Sequence, residues 1–92
     1  MGEKVRKHML FKGRVQGVGF RFVASYSAVN IGVTGWIQNL WDGSVEMEVQ
    51  GTSQQINLLL QKLYESPYIQ IEDIDVEKIP LKEESEFRVL DY

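Results

Sequence analysis

The segment GRVQGVGFR, residues 13–21, separates two different residue periodicities. Before it, VRKHMLFK (residues 5–12) alternates, with Met9 and Phe11 on one side and His8 and Leu10 on the other, as in a strand. After it, Phe20, Val23, Ala24, Ser27, Ala28 and Ile31 recur at helical spacing, and Gly32 supplies a stop. The chain therefore opens as strand, glycine loop, helix. Residues 33–39, VTGWIQN, read as a second strand in which Val33, Gly35, Ile37 and Asn39 share a face. LWDG is a hairpin turn. Val45, Met47 and Val49 alternate with Glu46, Glu48 and Gln50, a strand with one wet face that Gly51 ends. Thr52 and Gln55 have the spacing of a capping box, and Ile56, Leu59, Leu60 and Leu63 form a second helical stripe broken at Ser66-Pro67. The run Ile69, Ile71, Ile74, Val76, Ile79 slips phase between Ile71 and Ile74, the mark of a bulge or a late strand start. Residues 80–86 are a polar turn, and residues 87–90 a last short strand.

The order βαββαβ is that of an α+β, ferredoxin-like α/β sandwich: an antiparallel sheet of four to five strands with two helices on one face. The 92 residues suit one domain spanning 1–92. With 43% hydrophobic and 25% charged residues the composition is that of a soluble globular protein. No apolar run approaches a membrane span, and the charged start lacks the apolar stretch of a secretory signal. The absence of cysteine removes disulfides, thiol nucleophiles and thiolate metal sites. A cytoplasmic location is the expectation. The net charge of −3 is unevenly spread: residues 1–21 carry Lys4, Arg6, Lys7, Lys12, Arg14 and Arg21 against Glu3 alone, while the last third is acidic. A local positive field around the glycine loop suits a small anion, with solvated strand ends as the plainer reading. The overall acidity argues against a nucleic-acid binder.

The glycine loop contains no nucleophile. What it offers is backbone: glycines let N–H groups converge, and the following helix start adds free donors and a positive dipole end. It is not a Walker A loop, since no Gly-Lys-Ser/Thr follows, and its spacing is not the dinucleotide fingerprint. Arg21 lies at the helix start, where the macrodipole disfavours a cation; it reads either as a phosphate-gripping guanidinium or as a partner of a surface acid. Asn39, at the end of the second strand, reads either as a water-positioning amide or as a residue favoured by the coming turn.

GRVQGVGFR, followed by TGWIQN and DGSVE, resembles the acylphosphatase family, and the likeness extends to the closing FRV. The resemblance implies hydrolysis of acyl phosphates, with phosphate or sulfate as product-like ligands and no metal, cofactor or covalent intermediate. It implies that Gln16, Gly17, Val18, Gly19 and Phe20 cradle the phosphoryl group through backbone N–H groups. It assigns the phosphoryl grip to Arg21 and the orientation of the attacking water to Asn39. Gln38 stands where many relatives have a basic residue, and Trp41 precedes the Asp-Gly turn; either could alter substrate affinity. Phe22, Tyr26 and Val29 form a second apolar stripe on the first helix, expected to pack under the long loops or to give an otherwise monomeric protein a weak self-association surface.

Two other classes remain open. One is a non-catalytic interaction module using the open sheet face, as RNA readers of this fold do with stacked aromatics. That face here carries His8, Leu10, Glu46 and Glu48, a poor platform. The other is a phosphate or phosphoprotein sensor, which needs the cradle but not the pair Arg21 and Asn39.

Overall fold

The computed structural model describes residues 2–90. In chain order the elements are β1 (Lys4–Arg14), α1 (Phe20–Ile31), β2 (Thr34–Asn39), β3 (Val45–Thr52), α2 (Ser53–Glu65), β4 (Gln70–Ile79) and β5 (Phe87–Val89). They build one five-stranded sheet in the order β4-β1-β3-β2-β5. Among the described residues no helix is long and apolar enough to cross a membrane.

Alternation decides which sheet face is covered. Met9 and Phe11 from β1, Ile37 from β2, and Val45, Met47 and Val49 from β3 are fully buried. They form one core with Phe20, Ala24 and Ala28 of α1 and Ile56, Leu59 and Leu63 of α2. Both helices carry the caps that their sequence dictates. Gly32 closes α1 in the left-handed region with its N–H on the Ala28 carbonyl. At the start of α2 the Thr52 hydroxyl accepts from the Gln55 N–H (3.1 Å), while the Gln55 side chain accepts from the Thr52 N–H (2.8 Å).

Two expectations are corrected. The sheet is mixed, because β5 runs parallel to β2. The connection through residues 80–86 leaves the β4 edge and crosses the uncovered face to the far edge, so β5 arrives in the direction of β2. Gly51 does not end β3: it pairs with Val5, and the strand stops one residue later, where Thr52 becomes the helix cap. The phase slip is a bulge. Lys12 pairs with Asp73 and Gly13 with Ile71, leaving Glu72 extra on β4.

The crossing segment is held by Arg6, which the sequence reading counted with the other basic residues of 1–21 and gave no partner of its own. The Arg6 side chain is fully buried. Its guanidinium meets Glu48 Oε1 at 2.8 Å and Glu84 Oε1 at 2.7 Å. Gln50 completes the layer: its amide donates to the Lys82 carbonyl (2.8 Å), and its Oε1 accepts from the Lys82 N–H (2.9 Å). Beside it, His8 Nε2 and the Gln38 amide both contact Glu46 at 2.7 Å. Burial would raise the Glu84 carboxyl, but hydrogen bonds from Arg6 and Thr34 outweigh it and hold the pKa below the ordinary value.

A lowered folded-state pKa means that the carboxylate is stabilised in the fold. That stability is complete above the ordinary carboxylate range and is lost as pH falls through the folded-state value. The urea midpoint is therefore expected to fall between about pH 6 and about pH 3, and to fall less in Glu84→Gln. Arg6→Ala, which leaves two half-buried carboxylates facing each other, is expected to cost about 3–5 kcal/mol in the same titration.

Candidate active site

The loop between β1 and α1 owes its shape to two glycines. Gly17 has φ +73° and Gly19 φ +82°, a region in which L side chains are strained. A Cβ at either would meet nothing within 4 Å, so backbone conformation rather than crowding demands glycine there. Gly19 caps α1. No side-chain hydrogen bond closes that end, in contrast to the boxed start of α2, and its first turn holds no acid. The Val23 N–H donates to the Gly19 carbonyl (2.9 Å), so the N–H groups of Phe20, Arg21 and Phe22 precede the helix's own ladder. A helix start of this kind attracts anions through its donors and its dipole.

The helix start is seated by aromatic packing. Phe20 is buried, and its ring lies 4.9 Å from that of Phe11 at an interplanar angle of 59°. Phe20 therefore contributes its backbone to the loop and its side chain to the core.

A cleft of about 200 Å³ opens at this helix end, lined by Val15, Gly17, Gly19, Phe20, Arg21, Phe22 and Asn39. Five of the seven expected site residues thus meet at one cavity. Gln16 and Val18 do not line it. Val18 packs against the core. Gln16 turns its amide to the β2–β3 connection, donating to the carbonyls of Leu40 (2.7 Å) and Ser44 (2.8 Å). That tie joins the loop to the segment immediately after Asn39, a role that the sequence reading did not give to the Gln16 side chain.

The connection is itself braced. Asp42 Oδ1 accepts from the Ser44 hydroxyl (2.6 Å) and from the Ser44 N–H (3.0 Å). The hydroxyl bond and then the backbone bond lower the Asp42 pKa. The Asp-Gly-Ser sequence carried that signal as an Asx turn, which the hairpin assignment alone did not draw out.

Asn39 stands at the end of β2 on the helix-covered face, as strand alternation required. Its Oδ1 is buried and has no hydrogen-bond partner among the described residues. Buried acceptors are rarely left unpaired, and this residue lines the cleft. Gln38 lies on the opposite face, bonded to Glu46, and so is not placed to touch a ligand in the cleft. Trp41 is 98% exposed and does not line the cleft. Phe22, Tyr26 and Val29 are not under loops: they are 71%, 64% and 70% exposed.

The geometry has relatives. The family model for acylphosphatase matches residues 7–89. An acylphosphatase of Bifidobacterium longum is 40% identical over 82 residues, covering 88% of this chain and 84% of the relative. The solved structure of an acylphosphatase from Coxiella burnetii superposes with a TM-score of 0.85 at 33% identity, covering 95% of this chain and 93% of that one. That of Bacillus subtilis gives 0.87 at 28% identity, covering 95% and 99%. An open helix start, a flanking arginine and an asparagine with a buried oxygen therefore sit in a chain that belongs to the acylphosphatase family, enzymes that hydrolyse acyl phosphates.

Proposed function

We propose that the cleft between the glycine loop and the end of β2 is where the acyl phosphate is hydrolysed, by in-line attack of water on phosphorus. The observation that carries this reading is the buried, unpartnered Oδ1 of Asn39, a residue that lines the same cleft as an uncapped helix start. Each element has one task. The N–H groups of the loop and of the first turn of α1 receive the phosphoryl oxygens. Arg21, lining the cleft, adds a two-pronged donor for the same oxygens. Asn39 Oδ1 accepts a hydrogen bond from a water and so orients its lone pair toward phosphorus. The water oxygen forms the new P–O bond, the bond from phosphorus to the acyl oxygen breaks with its electron pair leaving on the carboxylate, and both protons of the water stay with the inorganic phosphate product. The carboxylate is a good leaving group, so orientation and charge stabilisation carry the rate without a side-chain base. A device that only sensed phosphate would have no use for the acceptor at Asn39.

The test is turnover of benzoyl phosphate in the presence of a chelator. Wild type is expected to turn over rapidly, and a folded Asn39→Ala to lose about a hundredfold or more in kcat. A folded but inactive wild type, or a fully active Asn39→Ala, would overturn the assignment. Arg21→Lys keeps the charge but loses the fork; the inhibition constant of inorganic phosphate is expected to rise about tenfold. Gln16→Leu strands two carbonyls, and a urea titration is expected to show a loss of about 1–3 kcal/mol together with a lower kcat.

A further inference from the structure

Phe22 is a wall shared by two concavities. On one side is the cleft of about 200 Å³ described above. On the other a shallow groove of about 310 Å³ runs along α1, lined by Phe22, Ser25, Tyr26, Val29 and Asn30. The rings of Phe22 and Tyr26 stack with centroids 6.0 Å apart and an interplanar angle of 18°, so they present one continuous apolar wall. Ser25 does not interrupt it, because its hydroxyl donates back to the Phe22 carbonyl at 3.2 Å. No charged side chain lines the groove among the described residues.

We propose that this groove is the acyl subsite of the enzyme, and that it selects acyl phosphates whose acyl group is aromatic or otherwise apolar over those with a small acyl group. The proposal rests on the phosphoryl group occupying the cleft as argued above. An acyl phosphate has two ends of opposite character: a dianionic phosphoryl group and an acyl group joined through one oxygen. Backbone donors at the helix start take the first end. In-line displacement requires the acyl oxygen to lie on the side of phosphorus away from the water held at Asn39. The groove begins at Phe22, within the lining of the same cleft, and offers that departing group a stacked aromatic face and then the aliphatic Val29. Continuity through Phe22 is what distinguishes this face from an isolated exposed stripe. A substrate reaching Tyr26 gains contact area that acetyl phosphate is too short to use.

The experiment is the ratio of kcat/KM for benzoyl phosphate to that for acetyl phosphate, measured in wild type, Tyr26→Ala, Tyr26→Phe and Asn39→Ala. Tyr26 is exposed and lies outside the catalytic cleft, so its truncation spares the core. The expected result is a ratio about tenfold lower in Tyr26→Ala and restored in Tyr26→Phe. In Asn39→Ala both rates should fall together and the ratio should hold. An active wild type whose ratio is unmoved by Tyr26→Ala would overturn the subsite alone. So would a wild type that sediments as a dimer which Tyr26→Ala dissociates without changing the ratio, since the stripe would then be occupied by a second copy of the chain. A wild type that hydrolyses neither substrate would overturn the catalytic reading and the subsite with it.

Discussion

The Gln16 side chain holds the two halves of the site at a fixed separation. One amide nitrogen reaches two carbonyls, those of Leu40 and Ser44, across the gap between the glycine loop and the end of β2. On one side of that tie are the helix start and Arg21; on the other, immediately before Leu40, is Asn39. On its other flank the loop is seated on the sheet by the contact of buried Phe20 with Phe11. The turn is braced within itself, because Asp42 accepts from both the N–H and the hydroxyl of Ser44. In the proposed mechanism the rate comes from orientation, so the donors and the water acceptor need to be rigid with respect to each other, since small misplacements are costly. In this fold that rigidity comes from a few hydrogen bonds and one ring contact, while Gly17 and Gly19 supply the positive-φ turns that lead into the helix start.

The other sheet face is organised by charge. Arg6, Glu48, Gln50, Lys82 and Glu84 form a layer in which the buried guanidinium is met by two carboxylates and an amide. Removing such a cation from water is costly unless its donors are satisfied, as they are in this layer. The result is topological. Residues 80–86 are fastened across the sheet, and β5 is delivered to the open edge of β2, where the Gly35 N–H donates to the Glu86 carbonyl and the Leu90 N–H to that of Ile37. The strand bearing Asn39 is thereby paired on both sides. Part of the face that other ferredoxin-like domains use for partners, around Arg6 and Gln50, is covered by the protein's own chain.

What was legible in the sequence is what depends on near neighbours. Alternation placed Met9, Phe11 and Ile37 in the core and put Asn39 on the helix side. The Thr52–Gln55 box and Gly32 marked helix ends because caps act within a few residues. What was not legible depends on distant partners. Arg6 could not be told apart from the other basic residues of 1–21 because the carboxylates that meet it lie 42 and 78 residues away. Gln16 was read only through its backbone because its acceptors are 24 and 28 residues away. The three residues of β5 carry no information on direction, so the parallel edge came from the path of the crossing segment rather than from the strand. For Arg21 and Asn39 the residue types left two readings each, and the roles came from the resemblance. The structure adds the shared cleft and the unpartnered buried oxygen.

The central claim is that water attacks phosphorus, and hydrolysis in ¹⁸O-labelled water tests it most directly. Benzoyl phosphate would be turned over by the wild-type protein for a single enzyme-catalysed cycle, and both products analysed by mass spectrometry. Attack at phosphorus places the label in inorganic phosphate and leaves benzoate unlabelled. Label in the benzoate would mean that water attacks the carbonyl carbon, and neither Asn39 nor the phosphoryl cradle would then play the part assigned to it.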